Sequence, residues 1–175
     1  MKHVTFLLLL FLAHATNAQT KDECSTPDKL IHTFYSCLDV PKGKHIDSAR
    51  FVNLFWPGAQ LEGVVQSKRD TTKITNFGIT PQEYLRSMKG FTATHRFKEW
   101  ETGRQTLSFG HMLTIYSGYE LVDLKPKGDT IHLYGVNVLH LFYDQERWWI
   151  TYCTYEEQSP EFPVPSVLRS PAKKE

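Results

Sequence analysis

The stretch GVNVLHLFYDQERWWITYC, residues 135–153, decides the fold because it is typical of two strands joined by a tight turn. Branched and aromatic side chains are frequent on both sides of a polar turn, as they are in paired strands. If Gln145 and Glu146 form the tip, Leu139 pairs with Tyr152. One predicted face then carries Asn137, Leu139, Leu141, Tyr143, Trp148, Ile150 and Tyr152. The opposite face carries Val138, His140, Phe142, Trp149, Thr151 and Cys153.

Both faces of this hairpin are too apolar to be simply exposed to water. We expect one face to pack against helices and the other to meet a second subunit, with His140 in that interface beside Phe142 and Trp149. The sequence therefore predicts a homodimer that forms through the outer face of the sheet.

The second half of the chain is predicted to be a mostly antiparallel sheet. Strands are expected near residues 93–106, 111–122, 131–143 and 147–155, with turns near Gly110 and at 125–129 and 144–146. Gly103 lies inside the first of these strands and predicts a bulge that bends the sheet. Upstream of them, residues 59–65 favour a short strand and residues 67–72 favour a polar loop.

Three helices are predicted before that sheet. The first begins with Thr26 as its cap. The second begins at Asp47 or Ser48 and is expected to continue until Pro57-Gly58 stops it. The third begins with the capping box and first-turn proline of Thr80–Glu83. The pattern predicts an α+β fold in which about three helices pack on the concave face of a strongly bent antiparallel sheet.

The two ends of the chain have compositions of their own. Residues 1–18 combine a basic start, an apolar run and small residues before Ala18, as in a cleaved signal peptide. The run is too short to span a membrane, so we expect an exported protein, periplasmic or secreted, with no membrane contact after cleavage. We expect an N-terminal segment at 19–25, one domain at 26–157, and a proline-rich tail at 158–175 that lies on the domain or frays from it.

Charge and cysteine content exclude several classes of function. Removing Lys2 with the leader leaves a formal charge of zero, which is a poor basis for binding nucleic acid. Cys24, Cys37 and Cys153 are not spaced like zinc ligands, and no phosphate-binding or dinucleotide-binding motif occurs. We therefore expect no metal and no cofactor. The favoured interpretation is buried structural cysteines with one disulfide, in a pairing that the sequence leaves open; the odd thiol is then unpaired or pairs between chains.

Several short motifs resemble a bacterial, exported branch of the nuclear transport factor 2-like superfamily. They are Phe51–Phe55 with Pro57–Ala59, Phe109–Met112, Ser117–Glu120, Gly135–Asn137 and Arg147–Ile150. The resemblance covers most of residues 26–165 and implies a cone-shaped fold. The superfamily holds ketosteroid isomerases, scytalone dehydratase, limonene epoxide hydrolase and polyketide cyclases, and also members that only bind proteins. The resemblance thus implies an apolar pocket inside the cone, but it does not select a reaction.

Three ionisable residues are candidates for acid–base catalysis in such a pocket, namely Asp47, His111 and Glu120. Each also has a structural interpretation. Asp47 suits a helix cap, and strict alternation puts His111 and Glu120 on opposite faces of one strand. Glu120 is further expected to form an ion pair with Arg104 or Arg147.

Three other residues are candidates for ligand binding. Asn137 and Tyr152 share the predicted interior face, where they could donate hydrogen bonds to a ligand oxygen, and Trp56 could supply an apolar wall. The alternative is that the two polar groups satisfy each other or the nearby backbone. His95 and Glu99, by contrast, are expected to be surface neighbours on one face of their strand.

Two functions of different classes remain open. The first, which we favour, is a dimeric binding module whose pocket holds a small hydrophobic molecule. The alternative is a lyase, isomerase or hydrolase that acts on a small hydrophobic substrate by acid–base catalysis. The binding module is favoured because no pair of inward-facing catalytic groups can be drawn from the sequence.

Overall fold

Three helices and seven strands follow one another in the computed structural model, which describes residues 22–67, 69–70, 72–124 and 130–169. The helices are α1 (Pro27–Cys37), α2 (Ser48–Val52) and α3 (Pro81–Thr94). The strands are β1 (Asp39–Val40), β2 (Phe55–Gln66), β3 (Ile74–Ile79), β4 (Arg96–Phe109), β5 (Met112–Leu124), β6 (Thr130–Tyr143) and β7 (Trp148–Glu157). A 3-10 helix at Ser166–Leu168 follows. The predicted leader and the predicted turn at 125–129 lie outside the described residues. Within these residues, no helix has the length and apolarity needed to cross a membrane.

All seven strands belong to one sheet, in the order β1-β4-β5-β6-β7-β2-β3. Neighbouring strands are antiparallel, except that β2 runs parallel to β7. The predicted α+β class is confirmed, and the sheet is mixed because the early strand β2 adds beside the last strand. The bulge predicted at Gly103 is also confirmed, since the β4–β5 register shifts between Glu101 and Gly103. Further shifts in the β6–β7 and β2–β7 pairs add to the bending.

The predicted helix starts are confirmed by their caps. The Thr26 side chain accepts a hydrogen bond from the Lys29 amide, and Asp47 accepts one from the Arg50 amide. Thr80 and Glu83 form the predicted capping box. The predicted end of α2 at Pro57-Gly58 is wrong, because α2 ends at Val52 and the next residues join the sheet as β2.

Two further boundaries differ from the prediction. Strand β2 is longer than the predicted 59–65, and β3 was not predicted at all. β3 is mostly exposed at the sheet edge, so its sequence lacks the apolar alternation that marks a half-buried strand. Helix α3 continues to Thr94, so β4 begins at Arg96 rather than at residue 93.

The core lies between the helices and the inner face of the sheet. Phe34 of α1, Phe51 of α2 and Phe55 of β2 pack with ring centroids 5.0–6.3 Å apart. Tyr84 of α3 stacks on Phe51 at 5.5 Å. Leu139 and other inner-face residues of the sheet complete this cluster. The three helices therefore close one side of the bent sheet, as predicted.

The predicted hairpin register holds only near the turn. Leu141 pairs with Ile150 as expected, but the register shifts after this pair, and Leu139 then pairs with Cys153 instead of Tyr152. Because one extra residue in a strand reverses the facing of every later side chain, Cys153 lies on the inner face and Tyr152 on the outer face. The predicted positions of these two residues are therefore wrong.

The described part of the proline-rich tail, residues 158–169, folds back onto the sheet. Leu168 is buried, and the Thr102 hydroxyl donates a hydrogen bond of 2.6 Å to its carbonyl oxygen. A Cβ atom on Gly118 would lie 2.1 Å from the same oxygen, so only glycine permits this approach. The tail therefore covers one part of the outer face.

The predicted disulfide is not formed. Cys24, Cys37 and Cys153 are all buried free thiols. Cys24 accepts a hydrogen bond from the Arg147 guanidinium, Cys37 ends α1, and Cys153 faces the core from β7. The prediction was wrong because cysteine count and compartment carry no information on whether two side chains meet.

Candidate functional site

An interior cavity of about 110 Å³ lies between the helices and the inner face of the sheet. Its apolar wall comes from Phe34, Leu38, Phe51 and Leu61. Its polar lining is formed by Tyr84, Glu99, Tyr119, Asn137, Cys153 and Tyr155. The cavity therefore combines an apolar surface with several hydrogen-bonding groups, as small-molecule sites do.

Glu99 of β4 is the ionisable carboxyl group of this cavity. It alternates with Phe97 on the inner face and is 9% exposed. Burial raises the pKa of Glu99 to about 7, although a hydrogen bond from Asn137 opposes the shift. Glu99 is thus a carboxyl group that can hold or release a proton near neutral pH.

The prediction that His95 and Glu99 are surface neighbours is wrong. His95 caps the C-terminal end of α3 and stacks on Phe91 with ring centroids 4.4 Å apart. Because the helix extends to Thr94, His95 lies outside β4, and Glu99 shares the buried face of the strand with Phe97. The strand pairing of Glu99 with Leu121, also on the inner face, is consistent with this orientation.

Asn137 connects Glu99 to a buried hydroxyl pair. Its side-chain amide donates to Glu99 Oε1 at 2.9 Å and to the Tyr35 hydroxyl at 3.1 Å. The Tyr35 hydroxyl lies 2.7 Å from Ser117 Oγ, and Ser117 donates to Glu101 Oε1 at 2.7 Å. Since Ser117 has a single proton and gives it to Glu101, the Tyr35 proton goes to Ser117. The direction of every hydrogen bond in the chain is therefore determined.

The far end of this chain is anchored by charge. Glu101 accepts hydrogen bonds from Arg104 at 2.8 and 2.5 Å, and Arg104 also contacts Asp28 at the start of α1 at 2.6 Å. Buried polar groups of this kind are stable when each has a partner. The chain thus holds Asn137, and through it Glu99, in one orientation.

Three tyrosines complete the polar lining. Burial raises the pKa of Tyr84, Tyr119 and Tyr155, and the neighbouring Glu99 carboxyl adds to the shift of each. Their hydroxyls are therefore neutral at physiological pH. The thiol of Cys153 also has a raised pKa because it is buried, so it is neutral and is no nucleophile.

Of the three predicted ligand-binding residues, Asn137 lines the cavity and the other two lie elsewhere. Tyr152 is on the outer face, where its ring centroid lies 6.0 Å from that of His140. Trp56 is 42% exposed and packs edge-on against Phe142 and Trp149 at 4.9 and 5.5 Å. The predicted grouping of Asn137 with Tyr152 on one face is wrong, because the bulge in β7 reverses the facing of Tyr152.

The three candidate catalytic residues lie apart from one another. Asp47 caps α2, and His111 lies in the β4–β5 turn beside Tyr143. Glu120 is on the outer face, where the His132 ring nitrogen lies 2.9 Å from its carboxylate. None of the three is among the residues that line the interior cavity.

The predicted ion pair of Glu120 with an arginine is wrong. Arg104 binds Glu101 and Asp28 instead. Arg147 is buried, donates 2.6 Å to the Asn53 carbonyl oxygen, and lies 3.9 Å above the Trp149 ring. Arg147 therefore ties the β6–β7 hairpin to the end of α2.

Sequence reasoning missed Glu99 and its hydrogen-bond chain. The available signal was that Glu99 lies two residues after Phe97 and therefore shares the face of a large apolar side chain. Tyr35 and Ser117 are 82 residues apart, so no local pattern could join them. Among the described residues, no group of three His, Cys, Asp or Glu side chains could hold a metal ion.

No protein-family model and no curated protein matches this sequence. Solved structures do match. A nuclear transport factor 2-like superfamily protein from Salmonella enterica has a TM-score of 0.57 at 12% identity, over 86% of this chain and 98% of its own. The beta subunit of a proposed aromatic-ring-hydroxylating dioxygenase from Novosphingobium aromaticivorans has a TM-score of 0.58 at 13% identity. The match covers 90% of this chain and 98% of the beta subunit.

A third structure, a proposed dehydratase of the same family from Streptomyces avermitilis, has a TM-score of 0.55 at 12% identity, over 74% of this chain and 92% of its own. At these identities the likeness concerns architecture, which supports several unrelated activities. The chain therefore has the cone-shaped fold of the nuclear transport factor 2-like superfamily.

Proposed function

We propose that this protein binds a small, neutral, largely apolar molecule in the interior cavity, through a hydrogen-bonding oxygen that meets Glu99. The observation that carries the proposal is a buried carboxyl group facing a cavity whose other lining side chains are apolar or neutral. Placing a carboxyl group there costs stability unless something compensates it. Asn137 supplies one hydrogen bond to Glu99 Oε1, and a ligand that exchanges a further one with Glu99 would add to that compensation.

The lining favours a neutral ligand over a charged one. No basic side chain is among the described residues that line the cavity, so an anion would meet no counter-charge. Protonated Glu99 donates a hydrogen bond, and the tyrosine hydroxyls can donate or accept. A ketone, aldehyde or alcohol on a hydrocarbon skeleton fits this chemistry.

Acid–base catalysis is a second candidate, and one observation favours it. The pKa of Glu99 is about 7, which suits a general acid or base at neutral pH. In such a reaction the Glu99 carboxylate would remove a proton from a carbon next to a carbonyl group and return it to the same or another carbon. This step is that of an isomerase, and it assigns the acid–base role in the alternative function to Glu99.

Butan-2-one tests both candidates with the mature protein. When butan-2-one is added, we expect saturable changes in the NMR resonances of the Tyr119 and Tyr155 rings. The Glu99→Gln variant should retain these changes. The Glu99→Leu variant should lose them, because leucine has no hydrogen-bonding group. Wild-type binding that Glu99→Leu leaves unchanged, or no saturable binding at all, would contradict the proposal. Glu161→Gln, at an exposed position, is the control.

Deuterium exchange separates binding from catalysis. If Glu99 acts as a base, the protein in D₂O accelerates exchange of the protons next to the ketone carbonyl, and Glu99→Gln does not. Saturable binding with no acceleration by the wild type supports the binding module alone.

We also propose that the protein works as an exported homodimer. The support for export is the leader-like composition of residues 1–18, and the support for dimerisation is the exposed apolar part of the outer face. That part carries Trp56, Leu107, Phe109, Met112 and Tyr116, which are 42–81% exposed.

A further inference from the structure

A second, larger hollow opens on the far side of two cavity residues. This groove has a volume of about 450 Å³, and its lining includes Val65, Tyr119, Tyr155, Glu157 and Pro160. Tyr119 and Tyr155 also line the interior cavity. The two tyrosine rings therefore form the wall that separates cavity and groove.

Both tyrosines rest against glycines. A Cβ atom on Gly135 would lie 2.3 Å from the Tyr119 hydroxyl oxygen, and one on Gly63 would lie 2.8 Å from that of Tyr155. The same atom on Gly63 would lie 2.5 Å from the ring of Phe77, which is 43% exposed. The two tyrosine rings thus occupy space that is free because Gly135 and Gly63 have no side chain. The space beside Gly63 is shared by Tyr155 and the partly exposed Phe77.

The sizes of the two spaces are complementary. The interior cavity is smaller than the roughly 300–1,000 Å³ typical of ligand sites. The groove is large enough, but Glu99 is not among the residues that line it. A single molecule that reaches from one space into the other would use the hydrogen bonds of the first and the apolar surface of the second.

We infer that cavity and groove form one site for an elongated neutral amphiphile. Its polar end meets Glu99, and its alkyl chain passes between Tyr119 and Tyr155 to lie along Val65 and Pro160. This inference rests on the proposed function and adds the ligand class. Glu157 at the groove disfavours an anionic ligand, so a medium-chain alkyl ketone or alcohol fits better than a fatty-acid anion.

A ketone series tests the inference on the mature protein. Calorimetric titration with butan-2-one, hexan-2-one and octan-2-one should show an affinity gain of about fourfold per added methylene, because each buried methylene contributes a similar transfer free energy. Val65→Glu should remove this gain and leave butan-2-one affinity unchanged. Val167→Glu is a matched control, since the two valines are 44% and 48% exposed.

The outcomes separate the two proposals. Butan-2-one binding without any gain for the longer ketones, or a gain that Val65→Glu leaves intact, overturns the groove and keeps the proposed function. Failure of every ketone to bind overturns both. Octanoate binding as tightly as octan-2-one would overturn the neutral ligand class.

Discussion

Glu99 carries the strongest consequence at the scale of single residues, because the fold keeps its carboxyl group away from water. Its pKa rises from the ordinary 4.5 to about 7 on folding. Between these values the native state holds a proton that the unfolded chain has released. The free energy of unfolding therefore falls as the pH rises from about 4.5 to about 7, and Glu99 adds no further loss above that range.

The variant Glu99→Gln should lose this pH dependence, since glutamine stays neutral. We expect its free energy of unfolding, relative to wild type, to rise by about 3 kcal/mol between pH 4.5 and pH 8. Urea unfolding at a series of pH values measures this difference. A constant difference across that range would show that Glu99 ionises normally in the folded protein, and Glu161→Gln should behave like wild type.

Tyr35 is the central link of the buried hydrogen-bond chain. Removing its hydroxyl in Tyr35→Phe leaves an Asn137 N–H without its acceptor and Ser117 without its donor. We expect a loss of about 1–3 kcal/mol in the free energy of unfolding, the usual cost of unsatisfied buried groups. Chemical denaturation provides the measurement.

Tyr143→Phe is the matched control for that experiment, because the Tyr143 hydroxyl donates its hydrogen bond to the Gln145 carbonyl oxygen at the exposed hairpin turn. Equal losses for the two variants would mean that the effect does not come from the buried chain. A loss near zero for Tyr35→Phe would show that water replaces the missing hydroxyl.

At the scale of elements, the helix starts follow from short local rules. The Thr26 side chain accepts the Lys29 amide at 3.2 Å, which satisfies a donor that the first turn of α1 leaves free. Thr26→Ala should cost about 1 kcal/mol of stability, measured by thermal or urea unfolding. Ser36→Ala, near the end of the same helix, should change the free energy of unfolding by less than about 0.5 kcal/mol. Equal effects of the two substitutions would contradict the capping role of Thr26.

Helix and strand ends were harder to predict than helix starts. Apolar Leu54 and Phe55 fit the helical spacing of α2, yet Phe55 pairs with Ile150 in the sheet. Likewise, the single-residue shift in β7 depends on how β6 and β7 pack, and it exchanges the faces of Tyr152 and Cys153. Local propensity is a weak force that such tertiary packing overrides.

At the scale of the whole molecule, the outer face of the sheet has two parts. The tail covers the region around Gly118, and a cluster of apolar side chains remains exposed at the end of the sheet near the β4–β5 turn. Phe109 and Leu107 are the most exposed of these, at 81% and 77%. Such a cluster is the expected site of subunit contact.

The variant Phe109→Asp should therefore convert the proposed dimer into a monomer, because a buried, unpaired carboxylate in the interface is strongly unfavourable. Light scattering at micromolar concentration measures the change in mass. Phe162→Asp, on the tail and 66% exposed, should leave the dimer intact. A monomeric wild-type protein would contradict the proposal.

The amino-acid sequence by itself determined the fold class, the helix starts, the strands of the second half and the Gly103 bulge. These depend on capping residues, alternation and turn residues, which act over a few neighbouring positions. The site depended on the tertiary structure. Glu99, Asn137, Tyr35 and Ser117 meet only because the bent sheet and α1 bring them together. Burial and long-range pairing are properties of the assembled fold, so no local pattern in the chain specifies them.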